Sequence, residues 1–366
     1  MSEKLIVKNF GPIKYVELNI KKVNVLIGEQ GTGKSALVKL LYLFSSQGFL
    51  FGKDDDYDEL KKLYDIFFQK DTFIEYDTTN FSVIFEKNKF SIYFKGSHQE
   101  ILSRFRDITI LYFKEHDNKV QNEYLSLREW FYENIGNYCY VPAERIAIPT
   151  FYRTTLSREN SDQYLNDFAL NFYQARDKVI ELEIPHLSEV IYKRENYLFD
   201  RIIFKGEGLF LSQTSSGFQS SIPLAIVIEY FTSISEKKRF IIEEPELNLF
   251  PTTQYELIKY FIHKTSSEKN GLFLATHSPY VITSLNNMMY AFQVGQKNPE
   301  QVAAIIDKKY WLNPDEVSAY RLLTDGTVRN ILDDELKQIN AGEIDEISRS
   351  INDKWDKIAD IEFSKA

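Results

Sequence analysis

Residues Gly28-Glu29-Gln30-Gly31-Thr32-Gly33-Lys34-Ser35 satisfy the spacing G-x-x-x-x-G-K-[ST] of a phosphate-binding loop. Glycines at these positions let successive backbone N–H groups curl around a β-phosphate. A helix opening at the end of the loop adds its positive dipole end to the same anion. Lys34 is spaced to reach the β- and γ-phosphates as a point charge, and Ser35 to offer its hydroxyl to Mg²⁺. Together with Ala36, the loop residues Gly28, Gln30, Gly31, Thr32, Gly33, Lys34 and Ser35 form the expected nucleotide cradle. ATP is the expected nucleotide. Asn118-Lys119-Val120-Gln121 lacks the aspartate of a guanine-reading Asn-Lys-x-Asp segment.

Three further segments carry polar chemistry at the ends of apolar runs. Arg239-Phe240-Ile241-Ile242-Glu243-Glu244-Pro245-Glu246 has the form of a buried strand ending in paired acids. In that pattern one acid, Glu243, holds Mg²⁺, and the next, Glu244, orients or deprotonates an attacking water. Neighbouring carboxylates stay ionised together when cations compensate them, and Mg²⁺ with Lys34 would do so. Gly271-Leu272-Phe273-Leu274-Ala275-Thr276-His277 ends the same way, and places His277 to bond a γ-phosphate and steady the water. Finally, Ser215-Ser216-Gly217 opens an apolar helix through Ile222, Leu224, Ile226 and Ile228, a second anion-friendly helix start. One nucleotide needs one such clamp. The second is expected to serve the nucleotide of another copy of the chain, the alternative being a plain serine cap.

These segments need particular elements to hold them. Alternation of apolar residues predicts strands over residues 4–27, and Leu37, Leu40, Leu41 and Phe44 predict a helix after the loop. Strands are predicted over Phe81–Phe85, Phe90–Phe94 and Ile108–Phe113, forming an antiparallel layer. From Ser161 to Ile184 the spacing of Leu165, Phe168, Phe172, Ala175, Val179 and Leu182 is helical, Pro185 supplies a stop, and a second helical stretch is predicted to about Tyr197. Asp54, Asp55, Asp56 and Asp58 are expected to form a solvated loop, the alternative being a metal site. In the tail, Ile344, Ile347, Ile351, Trp355, Ile358 and Ile361 form an amphipathic helical stripe, suited to packing on its own domain or to docking a partner.

Composition sets outer bounds. The 366 residues are 43% hydrophobic and 27% charged, enough for one large α/β domain with an insertion. A net charge of −9 gives no global attraction for nucleic acid or anionic membrane, although a local basic groove is compatible with it. Cys139 is the single cysteine, so internal disulfides and cysteine-rich zinc sites are excluded. The N-terminus has no leader pattern and no apolar run approaches a membrane span, so a cytoplasmic location without membrane contact is expected.

The order of phosphate loop, insertion, Ser-Ser-Gly, paired acids and histidine resembles the ABC ATPase superfamily. Within it the chain looks like the cytosolic RecF, SMC and OLD-type (AAA_21-type) branch. The details are Leu5-Ile6-Val7-Lys8-Asn9-Phe10-Gly11-Pro12-Ile13, Glu243-Glu244-Pro245-Glu246, Thr276-His277-Ser278-Pro279 and the OLD-like segment Tyr140-Val141-Pro142-Ala143-Glu144-Arg145. It departs from the family in placing Glu243 where aspartate is usual and Ser216-Gly217-Phe218 where transporters have Gly-Gly-Gln. Neither long coiled-coil arms nor a Toprim nuclease is recognisable. The resemblance implies a two-lobed α/β P-loop head with an antiparallel β lobe and a helical insertion. The implied divisions are residues 1–150 and 206–310 for the ATPase, 151–205 for the insertion and 311–366 for a helical extension. It further implies an ATPase using Mg-ATP that closes as a head-to-tail homodimer, with Ser215, Ser216 and Gly217 on the partner's γ-phosphate. Two roles remain open: a regulator of a separate effector protein in bacterial defence or a toxin system, or a RecF-like DNA clamp.

Overall fold

The computed structural model describes residues 3–51, 68–114, 117–149, 162–196, 199–234 and 236–340, apart from the Asn137 side chain. The chain opens with β1 (Glu3–Phe10), β2 (Ile13–Ile20) and β3 (Val23–Gly28), then helices α1 (Lys34–Ser45) and α2 (Gln47–Phe51). Strands β4 (Phe73–Asp77), β5 (Phe81–Glu86) and β6 (Lys89–Phe94) follow, then α3 (Gln99–Tyr112), α4 (Asn118–Asn134) and β7 (Asn137–Val141). Next come α5 (Gln163–Arg176) and β8 (Glu181–Glu183), β9 (Val190–Arg194), β10 (Asp200–Phe204) and β11 (Glu207–Phe210). The last third holds α6 (Ser216–Ser233), β12 (Lys238–Glu243), α7 (Pro251–Lys264), β13 (Gly271–Thr276), α8 (Pro279–Gly295), β14 (Val317–Leu322) and β15 (Val328–Asn330).

The fold is mixed α/β. Its central sheet runs β15-β14-β3-β13-β12-β7, parallel except for β15. A sheet covered on both faces needs strands that are apolar throughout. Along β3, Val23, Val25 and Ile27 enter one core while Leu26 enters the other. Phe240 and Ile242 against Ile241 repeat this in β12, and Leu272 and Leu274 against Phe273 in β13. Helices α5 to α8 cover the first face. The second is covered by α1, α3, α4 and an antiparallel sheet ordered β2-β1-β4-β5-β6. A smaller antiparallel sheet, β11-β10-β9-β8, follows α5.

Three expectations change. The segment predicted as a strand over Ile108–Phe113 is helical to Tyr112, the end of α3, because Leu102, Phe105, Ile108 and Thr109 are its buried face. Strand-forming residue types yielded there to a helical period that begins upstream. The helix from Ser161 ends at Arg176, well before Pro185, and the second predicted helix is strand: Val190 and Tyr192 are buried with Ile191 between them, a period of two. The extension from residue 311 contributes β14 to the central sheet beside β3. The acidic cluster at 54–58 and the tail stripe at 344–361 lie outside the described residues.

Candidate active site

Parallel strands deliver their C-terminal ends to one edge of the sheet, where open α/β sheets bind ligands. Here β3 ends at Gly28, β12 at Glu243 and β13 at Thr276, with Glu243 paired to Ala275 and Thr276 to Ile27. The loop after β3 needs its glycines. Gly31 and Gly33 have φ of +77° and +102°, where a side chain is strained, and a Cβ on Gly28 would lie 2.7 Å from the Leu322 carbonyl of β14. Gly33 gives α1 no side-chain cap, so the first-turn N–H groups stay available to an anion. Gln30, Gly31 and Ser35 are exposed, Thr32 is buried and bonded to the Glu29 carbonyl at 2.8 Å, and Ala36 packs on the core behind. Lys34 is buried and donates to the Gly28 and Glu29 carbonyls, both at 2.8 Å. Burial pushes the Lys34 ammonium down, and Glu244, Glu243 and Glu246 oppose that shift.

Glu243 is buried, and burial raises its carboxyl above the ordinary range while the hydroxyls of Ser35 and Tyr140 beside it favour ionisation. Its Oε1 and the Tyr140 hydroxyl nonetheless lack a partner in hydrogen-bonding geometry. A buried carboxylate oxygen left open beside a serine hydroxyl is a donor set that fits a hard divalent cation. Ser35 and Glu243 would hold Mg²⁺, which when bound supplies neutralisation of charge on the transferring phosphoryl group.

Glu244 adopts φ +44°, strained for a residue with a side chain. Its N–H donates to the Ala275 carbonyl at 2.8 Å, and its carboxylate lies 3.6 Å from His277 Nε2. The fold thus brings together, across adjacent strands, the two residues expected to handle the water. Two residues whose roles the sequence left open complete the arrangement. Glu246 Oε1 accepts from the Thr276 hydroxyl at 2.7 Å and the His277 N–H at 2.9 Å, holding the histidine backbone. Arg145 is fully buried and bonds the carbonyls of Glu243 and Glu244, each at 2.7 Å. The third acid of Glu-Glu-Pro-Glu and the arginine after Tyr-Val-Pro-Ala-Glu were visible signals without an assignable partner.

Ser215 and Ser216 are exposed at the start of α6, which also lacks a side-chain cap. Among the described residues, no hydrogen bond or ion pair joins Ser215–Gly217 to Gly28–Ser35. Gly217 is placed differently from the two serines. It is buried, and a Cβ there would meet the Asn248 carbonyl at 2.8 Å, so its small size serves packing on the chain's own turn after Glu246.

Comparison with known proteins follows this geometry. A family profile described as AAA ATPase domain (AAA_15) matches residues 1–171 and 143–282. The chain belongs to that family and is a P-loop ATPase. Among curated proteins there is no match. Among solved structures, the SMC head domain from Thermotoga maritima is similar at 12% identity and TM-score 0.45, covering 90% of this chain and 98% of that one. An Smc head bound to the C-winged helix domain of ScpA gives 11%, TM-score 0.49, and 90% and 96% coverage. An Smc head with an extended coiled coil, bound to the C-terminal domain of ScpA derived from Pyrococcus furiosus, gives 11%, TM-score 0.45, and 96% and 99% coverage. No helix among the described residues is long and apolar enough to cross a membrane.

Proposed function

We propose that this ATPase works in the cytoplasm as a head-to-tail homodimer in which each chain's Ser215–Ser216 end of α6 clamps the γ-phosphate held by its partner. In this reading Lys34, Ser35 and Glu243 hold Mg-ATP, while Glu244 and His277 handle the water. The observation that carries it is the second helix start without a side-chain cap, exposed and unconnected to the chain's own phosphate loop. The ATP cycle then opens and closes a contact with a separate effector protein, in the defence or toxin setting that the resemblance to stand-alone OLD-like heads implies. The net charge of −9 favours a protein effector over a DNA duplex.

The test compares two variants by size-exclusion chromatography with Mg-ATP. Glu244→Gln keeps the shape of the side chain and loses the base. Turnover should fall about 100-fold or more, and the ATP-bound dimer should accumulate. Ser216→Arg puts bulk on the exposed end and should bind ATP as a monomer. A Ser216→Arg chain that dimerises and hydrolyses like the parent would sink the trans clamp. Salt-dependent duplex binding confined to the ATP state would favour the DNA clamp instead.

A further inference from the structure

Arg145 follows β7 in a short 3₁₀ turn, Ala143–Ala147, and none of its side chain reaches solvent. Its fork is satisfied by four backbone carbonyls: Ser220 from Nε at 3.0 Å, Pro142 and Glu243 from Nη1 at 2.9 and 2.7 Å, and Glu244 from Nη2 at 2.7 Å. A buried guanidinium is more usually held by a carboxylate. Here the carboxylates of Glu246, Glu244 and Glu243 oppose the desolvation of the charge without touching it, and the guanidinium, pushed down to about 10, stays protonated at neutral pH.

The four carbonyls belong to three segments that must act together. Glu243 and Glu244 are the acids of the active site. Pro142 anchors the fork to the edge strand. Ser220 lies one turn into α6, the helix whose first residues are Ser216 and Gly217. The same turn is fastened a second time, because Ser220 Oγ bonds the Gly217 and Leu247 carbonyls at 3.1 and 2.9 Å. Glu244, moreover, is held at φ +44°, a conformation that relaxes unless its neighbours impose it. Its carbonyl is fixed by Arg145 Nη2 and by the Leu247 N–H.

We propose that Arg145 is a positioning residue that couples the start of α6 to the Glu244 carboxylate. A shift of α6 when its end is engaged moves the Ser220 carbonyl, and the planar fork carries that movement to the Glu244 carbonyl. The carboxylate facing His277 is thereby set for hydrolysis only when the clamp is occupied. The link from Arg145 to the acids stands on the geometry of one chain. What engages α6 rests on the dimer reading above.

Arg145→Lys is the direct test, because it keeps the charge and loses the fork. The variant should bind Mg-ATP within about twofold of the parent and still dimerise. Its kcat should fall about 100-fold, the size of effect a misplaced catalytic group produces. The rise of turnover per chain with protein concentration, expected of the parent, should flatten. Turnover within threefold of the parent with the same concentration dependence would overturn the proposal. So would equal losses of ATP affinity and kcat, which mark a purely structural role. If Arg145→Lys does not fold, hydrogen exchange on chains with Arg145 intact decides. With a non-hydrolysable ATP analogue, the amides of Glu244, Glu246 and Leu247 should exchange faster in Ser216→Arg than in the parent, and equal exchange refutes the coupling. A parent whose turnover is independent of concentration would sink the dimer reading. Arg145→Lys would then still have to lose kcat for its link to the acids to stand.

Discussion

The two ends of the central sheet hold their bases in opposite ways. At the N-terminal end, Arg239, the second residue of β12 and partly exposed, pairs with Glu3 of β1, while Tyr76 and Tyr138 donate their hydroxyls to the same carboxylate, the latter at 2.7 Å. Every charge in that cluster has its counter-ion, and the cluster ties the antiparallel sheet to the central one. At the C-terminal end, Lys34 and Arg145 are held by carbonyls, and the nearby carboxylates are left open on at least one oxygen, Glu243 Oε1 and Glu246 Oε2. A base already neutralised by a carboxylate has little to offer a phosphate. One held by carbonyls keeps its charge for the ligand or for the acids around it. His186 is a third case: it is buried with neither ring nitrogen bonded, and burial alone pushes it down to about 3, so it stays neutral.

If this contrast is right, Lys34→Ala has the largest effect and a narrow one. ATP affinity and turnover should each fall about 100-fold or more, the loss seen when a charge-stabilising donor is removed. Melting without nucleotide should move by roughly a few degrees at most. Titration calorimetry and phosphate release check the first, and a thermal melt the second. Parental turnover would break the assignment of the loop.

Glu3→Gln probes the opposite end. It removes the counter-ion of Arg239 and turns one acceptor of the cluster into a donor, so stability should fall by about 2 kcal/mol in urea melts. The folded enzyme should keep its kcat within about twofold. A fall in kcat at unchanged stability would show that the two ends do not divide structure from chemistry as described.

The smallest effect belongs to His186. The folded ring holds its proton only near pH 3, whereas the unfolded ring titrates near 6.5. The unfolded state therefore binds more protons between those values, and stability is present above about pH 6.5 and lost as pH falls. The stability of the parent relative to His186→Leu should drop by about 1–2 kcal/mol between pH 6.5 and 5. A constant difference across that range would mean that the folded ring is protonated.

The segments that act through local backbone and sequence spacing were legible in the chain itself. The phosphate loop works through glycine torsions and the start of α1, all within a dozen residues, and the strands ending at Glu243 and Thr276 announce themselves as apolar runs. Where local preference and burial disagreed, the sequence misled. Ile108–Phe113 has the residue types of a strand, but its apolar face is shared with Leu102 and Phe105, so it folds as helix as far as Tyr112. Val190 and Tyr192 carry a period of two over too few residues to stand out.

Sequence alone determined a P-loop ATPase with two acids and a histidine in plausible order. It could not decide which residues hold those groups in place. Arg145 meets Glu243 across 98 residues and Glu244 across 99, through contacts with backbone carbonyls that every residue possesses. Gly28 is confined by Leu322 from β14, a strand nearly 300 residues away, and Glu246 finds its use only beside Thr276 and His277. Such contacts leave no local pattern, because a carbonyl acceptor is the same at every position. Only the pairing of β7, β12 and β13 in one sheet selects which of them a buried side chain will reach.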